Sequence, residues 1–346
     1  MKPVTIKQRI KVLVVDDSLV FRETLVQGLA ADSGIQVVGT ASDAYEAKEK
    51  IIALQPQVLT LDVEMPKLNG IDFLKQLMPQ YPLPVVMVSA VSDSVFEALK
   101  AGAVDFVTKP DTSIGRSMES LINELIVKIK IASIAKVGSW KHDPKFHEVK
   151  NVIQGRPDKL IAIGASTGGT EALSHILQAF PRNMPGTVVV QHMPPVFTRM
   201  YAERLNNSCQ VEVKEAENGD RVFPGRVLIA PGDFQMKIKR GGESYFIECF
   251  KGDKVNGHCP SVDVLFHSVA DHAGKNSVGV ILTGMGYDGA KGLLEMRKKG
   301  SRTLGQDEST SVVYGMPRVA FEIGAVERQV PLGEMAKAIE TCVNNL

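Results

Sequence analysis

Three residues of this chain have the types of a nucleophilic triad, and each follows a short apolar run. Ser166 lies in IAIGASTGG, His192 in TVVVQHMPP and Asp288 in GVILTGMGYDGAKG. A serine attacks a carbonyl when a base within hydrogen-bond reach takes its proton and a carboxylate orients that base. Gly164, Ser166 and Gly168 satisfy G-x-S-x-G, the pattern that lifts a serine out of a strand-to-helix turn. The same glycines spell a phosphate-cradling turn, because both tasks need bare backbone N–H groups beside a helix N-terminus. Taken alone, the loop leaves both readings open. N–H groups at the start of the following helix and in the Gly284-Met285-Gly286 turn are candidate donors to an oxyanion. The chain order Ser, His, Asp differs from the Ser, Asp, His of α/β-hydrolases, so the triad calls for another scaffold. Of the other histidines, His258 in NGHCPSVD can line a site without being the base. His142 and His147 fall in a polar stretch, and His175, His267 and His272 fall in helical patterns.

A second set lies nearer the start. Asp16 and Asp17 follow KVLVV, Asp62 closes VLTLD, Ser89 closes VVMVS, and Lys109 follows DFVT. Carboxylates converging on one edge repel unless a divalent cation holds them, and an all-oxygen shell suits Mg²⁺. With one carboxylate as nucleophile, Lys109 and the metal neutralise a transferring phosphoryl group and the Ser89 hydroxyl bonds one of its oxygens. The product is an aspartyl phosphate.

Both sets need strands that end at a common edge, and the chain supplies them. From residue 10 to 131, β-branched runs alternate with amphipathic helical patterns, the last of these near 113–130. That alternation predicts an α/β unit with a parallel sheet, whose ligands collect beyond the carboxyl ends of its strands. Residues 132–157 are polar, mixed in charge and aperiodic, and read as a linker that carries the single tryptophan, Trp140. From residue 158 to 346 a second α/β alternation follows. It includes a hairpin-like section over 227–250, with period-2 alternation around Gly241-Gly242.

A length of 346 residues favours two domains. A net charge of +1 with 23% charged residues gives no footprint of a dedicated nucleic-acid or membrane-surface binder. No long apolar run and no secretory signal is present, which places the protein in the cytoplasm. Cys209, Cys249, Cys259 and Cys342 have no metal-site spacing and are read as reduced thiols.

The segments VLVVDDS, LTLDVEMPKLNG, VVMVSA and DFVTKP resemble a response-regulator receiver domain. The resemblance implies Asp62 as phospho-acceptor, Asp16, Asp17 and Asp62 around Mg²⁺, Ser89 and Phe106 as the switch pair, and Lys109 on the phosphate. IAIGASTGG, VVVQHMP, GHCPSVDVLF, ILTGMGYDGAKG and QDESTSVVYGMPR resemble the catalytic domain of the chemotaxis protein-glutamate methylesterases. That implies a Ser166, His192, Asp288 triad supported by Thr167 and by the Met285 backbone N–H, with no cofactor in this domain. The implied architecture is two doubly wound, mainly parallel sheets, flavodoxin-like in the receiver and Rossmann-like with an antiparallel insertion in the esterase domain. The implied function is phosphorylation-activated hydrolysis of glutamate γ-methyl esters on methyl-accepting chemotaxis receptors, with deamidation of receptor glutamines. The implied phosphodonor is the chemotaxis histidine kinase, and a docked unphosphorylated receiver is expected to cover the catalytic rim. Two rivals remain. A DNA-binding regulator lacks a basic recognition helix, and a nucleotide-binding module lacks the P-loop lysine and a ribose-binding acid.

Overall fold

The computed structural model describes residues 9–90, 92–110, 117–138 and 158–346. The chain divides into two compact units, residues 1–141 and 142–346. Most of the expected linker, residues 139–157, lies outside the described residues, and with it Trp140, His142 and His147.

In the first unit, strands β1 (Ile10–Val15), β2 (Ile35–Ala41), β3 (Val58–Asp62), β4 (Val85–Ser89) and β5 (Asp105–Thr108) alternate with helices. These are α1 (Leu19–Ala30), α2 (Ala44–Leu54), α3 (Gly70–Gln80), α4 (Ser94–Lys100) and α5 (Met118–Ala132). The strands pair in parallel in the order β2-β1-β3-β4-β5. Because helices cover both faces, β3 and β4 are buried at every residue, and their sequences read as continuous apolar runs closed by one polar residue. Helices α1, α2, α3 and α5 start on Ser18, Asp43, Asn69 and Ser117, whose side chains accept from first-turn N–H groups.

In the second unit, the strands are β6 (Leu160–Ala165), β7 (Gly186–Gln191), β8 (Glu212–Glu215), β9 (Arg221–Val222), β10 (Arg226–Ile229), β11 (Gln235–Gly241), β12 (Ser244–Phe250), β13 (Ser277–Ile281), β14 (Arg302–Gln306) and β15 (Arg328–Val330). The helices are α6 (Gly169–Gln178), α7 (Phe197–Ser208), α8 (Val262–His272), α9 (Ala290–Lys298), α10 (Met316–Glu322) and α11 (Leu332–Asn344). Seven strands form a parallel sheet in the order β15-β14-β13-β6-β7-β10-β8. The direction of winding reverses between β6 and β13, and a crevice opens beyond the carboxyl ends at such a switch point.

The antiparallel insertion is narrower than the sequence suggested. Strand β10, part of the expected 227–250 hairpin, joins the parallel sheet between β7 and β8, and only β11, β12 and β9 are antiparallel. A short apolar run such as VLI suits a core strand of either kind, so periodicity could not separate the two. The turn is shifted by one residue, with Gly241 paired to Ser244 and Gly242 at φ 64°. Met236, Ile238, Tyr245 and Ile247 of this hairpin are buried with Leu265, Phe266 and Val269 of α8 and with Leu293 and Met296 of α9. Each such side chain contributes about 1.5–3 kcal/mol by leaving water. The first residue of α8, Val262, packs close to Gly164 and Gly289.

Candidate active site and acidic pocket

At the switch point, the loops after β6 and β13 are stitched together by backbone bonds that extend the sheet. Leu282 N donates to Gly164 O at 2.9 Å and Ser166 N to Thr283 O at 3.0 Å. On the other side, His192 N donates to Ala165 O at 3.1 Å, and Gln191 Nε2 donates to Ser166 O at 2.9 Å. The three loops bearing Ser166, His192 and Asp288 therefore share one rim. Gly284 touches the serine so closely that a Cβ there would lie 2.6 Å from Ser166 Cβ. Gly168 opens α6 at φ 76° with no side-chain cap.

His192 and Asp288 form a buried pair, Nε2 to Oδ2 at 2.9 Å, with side-chain exposures of 8% and 1%. Asp288 accepts from Ser261 Oγ at 2.7 Å, Asn256 Nδ2 at 2.8 Å, Val262 N at 2.6 Å and Asp263 N at 3.2 Å. Two of these donors are the first backbone N–H groups of α8, so the carboxylate also sits at the positive end of that helix. Burial alone would raise Asp288, but the hydrogen bond and charge of His192 with the bonds from Asn256 and Ser261 hold it well below the usual carboxylate range. An ionised carboxylate can only accept, so its bond fixes the proton on Nε2 and leaves the lone pair on Nδ1. That Nδ1 is buried and has no hydrogen-bond partner among the described residues. The bond geometry thus presents Nδ1 as the available base.

Thr167 is buried, and its carbonyl accepts from Thr283 Oγ1 at 3.0 Å. Met285 is 41% exposed on the turn that follows Gly284. Gly284 itself is held by Val313 O, Gly315 N and Met316 N, and the Met285 N–H makes no backbone bond among the described residues. His267 and His272 are exposed on α8. His258 stacks flat on His192, a contact that its place in a loop left undecided.

In the first unit, Asp16, Asp17 and Asp62 each offer an oxygen, and these atoms lie within 4.8 Å of one another. Lys109 Nζ lies 2.6 Å from Asp62 Oδ2 and 3.0 Å from Asp16 Oδ2. The latter is an ion-pair contact, and the buried Asp16 Oδ2 has no hydrogen-bond partner among the described residues. Burial pushes Asp62 up, and the charge of Asp16 adds to this against the pull of Lys109. An under-satisfied buried oxygen beside two more carboxylates is a hard-donor set that fits Mg²⁺. Ser89 is buried at the end of β4, and Lys109 N donates to its carbonyl at 2.7 Å. Phe106 is buried too, with the Lys128 ammonium 4.9 Å from its ring centroid and bonded to its carbonyl.

The profile of the CheB methylesterase family matches residues 161–339, which spans all three loops of the rim. The chain belongs to the CheB methylesterase family. A second profile, the response regulator receiver domain, matches residues 12–115. A protein-glutamate methylesterase/protein-glutamine glutaminase of Syntrophomonas wolfei is 58% identical over 98% of this chain and 99% of its own length. The protein of that name from Salmonella typhimurium is 48% identical, covering 95% of each chain. The crystal structure of the Thermotoga maritima CheB methylesterase catalytic domain is similar at a TM-score of 0.52 and 39% identity, over 54% of this chain and 98% of that one.

Residues that the sequence did not single out surround the CheB-family rim. Asn256 and Ser261 bond Asp288, Gln191 bonds the Ser166 and His192 carbonyls, and Asp263 accepts from Asn256 Nδ2 at 2.7 Å. The Asn-Gly dipeptide at 256–257 does signal a tight turn. No local signal says which carboxylate that turn reaches, since α8 decides it. Among the described residues no helix is long and apolar enough to cross a membrane, and all four cysteines are unpaired.

Proposed function

We propose that this CheB-family chain hydrolyses γ-glutamyl methyl esters on methyl-accepting chemotaxis receptors through Ser166, and deamidates receptor glutamines at the same centre. The buried His192–Asp288 pair, with Nδ1 left unpartnered on the rim that carries Ser166, is the observation that carries the reading. Ser166 Oγ bonds the ester carbonyl carbon as its proton passes to His192 Nδ1, and Asp288 stabilises the imidazolium. The Met285 N–H, on a turn packed against Ser166, donates to the oxyanion, and Thr167 supports the loop. The C–O bond to the methoxy group then breaks, and the His192 proton leaves with methanol. Water attacks the acyl-enzyme by the same route, returning its proton to Ser166 and releasing the glutamate carboxylate. For glutamine the leaving group is ammonia. The serine mechanism itself uses no cofactor.

Control lies in the receiver. The domains we assign are receiver 10–131, linker 132–157 and catalytic domain 158–346. Asp62 takes a phosphoryl group from the chemotaxis histidine kinase, with Lys109 on the phosphoryl oxygens. Asp16, Asp17 and Asp62 would hold a Mg²⁺ ion, which supplies positive charge for the transferring group. Bonding of Ser89 to the phosphoryl group and rearrangement of Phe106 shift the receiver to the state that permits catalysis. We place the protein in the cytoplasm, with no nucleic-acid partner.

Methanol release from methyl-esterified chemoreceptor membranes tests this reading. The wild-type chain with acetyl phosphate should release methanol, and Ser166→Ala should fall to background. Equal rates would remove Ser166 as nucleophile.

A further inference from the structure

Among the described residues the His192 ring makes one hydrogen bond, and an imidazole held at a single atom still swings about that contact. The structure supplies a second constraint from outside the triad. The ring of His258 lies against the ring of His192 with centroids 3.6 Å apart and planes 7° from parallel. Flat contact over a whole ring face blocks tilting, which the Asp288 bond alone does not.

The segment that delivers His258 is itself built to hold it. Val255 N donates to His258 O and His258 N to Val255 O, both at 2.9 Å, which closes a two-residue turn over Asn256-Gly257. Both central residues have positive φ, 53° and 85°, the signature of a type I′ turn, in which Asn-Gly is the favoured pair. The Asn256 amide donates to Asp288 Oδ1 at 2.8 Å and to Asp263 Oδ2 at 2.7 Å. Gln235 Nε2 donates to His258 O at 3.2 Å. The carboxylate that bonds His192 thus also anchors the turn that presses His258 onto it.

His258 faces His192, Asp288 and Lys254, and burial with the His192 charge pushes it down to about 4 against the pull of Asp288. At neutral pH it is an uncharged plate, so it does not repel the imidazolium that forms beside it. A stacked ring offers its face and not a nitrogen to its neighbour, so it passes no proton to His192.

We propose that His258 is a positioning residue of this active site, whose ring, held by the Asn256-Gly257 turn, fixes the plane of His192 through both proton transfers. The proposal rests on the hydrolase reading above.

The test uses the full-length chain with excess acetyl phosphate, reading kcat and KM for methanol release over a range of receptor-membrane concentrations. His258→Phe keeps an aromatic face, and His258→Leu and His258→Ala do not. His258→Phe should keep kcat within about threefold. The Leu and Ala variants should lose about 10- to 100-fold in kcat, as misplaced catalytic groups do, with KM unchanged. A Leu variant as active as the Phe variant, or a loss confined to KM, would overturn the proposal. Ring ¹⁵N resonances of His192 give a readout independent of turnover. They should be sharp in wild type and His258→Phe and broadened in His258→Leu, and equal line widths in all three would also overturn it. Thermal melts of each variant separate misfolding from mispositioning. Ser166→Ala in the same assay separates the two claims. If it is inactive while the His258 series matches wild type, only the positioning role falls; if it turns over normally, the hydrolase reading falls.

Discussion

Asp288 does more than face a histidine. It takes four hydrogen bonds besides the one from His192, two of them from the first N–H groups of α8, so it secures that helix as well as the His192 ring. Asp288→Asn would turn one oxygen into an NH₂ group facing these donors and remove the charge that fixes the Nε2 proton. Its kcat should fall by about 10³- to 10⁴-fold, measured by methanol release. The same bonds make stability depend on pH with a definite sign. Asp288 is depressed in the folded state, so its stabilisation is complete above the unfolded value near ~3.9 and is lost as pH falls through the lower folded value. In urea melts, the stability gap between wild type and Asp288→Asn should therefore stay constant from pH 7 to about 4 and narrow only below that. A gap that widens on acidification would contradict the assignment. The placement of Ser166, His192 and Asp288 at one edge of the sheet was legible because each follows an apolar run, where chain position alone predicts that edge. Asn256 and Ser261 were not, because their bonds to Asp288 span 32 and 27 residues and depend on how α8 packs.

The helices divide by how they begin. Helices α1, α2, α3 and α5 are capped by their own polar side chains, whereas α4 and α6 to α11 have no side-chain cap, and of these α6 and α9, which follow Ser166 and Asp288, begin at Gly168 and Gly289. Partners from elsewhere in the fold serve instead: Gly169 N donates to Ser166 O at 2.7 Å in α6, and Gly292 N donates to Asp263 Oδ1 at 2.7 Å in α9. Close packing of the loops sets a further condition. A Cβ at Gly284 would lie 2.6 Å from Ser166 Cβ and 2.5 Å from Met316 Sδ, so Gly284→Ala must push the serine loop aside. It should lower kcat about 100-fold or more while circular dichroism stays native. Wild-type turnover in that variant would mean that the loop tolerates displacement. The alternation of strands and helices gave away both parallel sheets. The fate of β10 did not show, because VLI followed by a turn suits a core strand and a hairpin arm equally.

Across the whole molecule, two α/β units place different chemistry on the same feature, the carboxyl edge of a parallel sheet. One edge gathers Asp16, Asp17, Asp62 and Lys109, and the other brings together the loops of Ser166, His192 and Asp288. If phosphorylation of the first controls the second, Asp62→Ala should lose the whole acetyl phosphate stimulation of methanol release. Stimulation that persists in Asp62→Ala would assign the response to another site. The central claim is that Ser166 is the nucleophile and His192 its base. Labelling the full-length chain with a fluorophosphonate, followed by peptide mass spectrometry, tests this most directly. The expected result is one adduct on Ser166 that is lost in His192→Ala; an adduct on another residue, or undiminished labelling in His192→Ala, would contradict it.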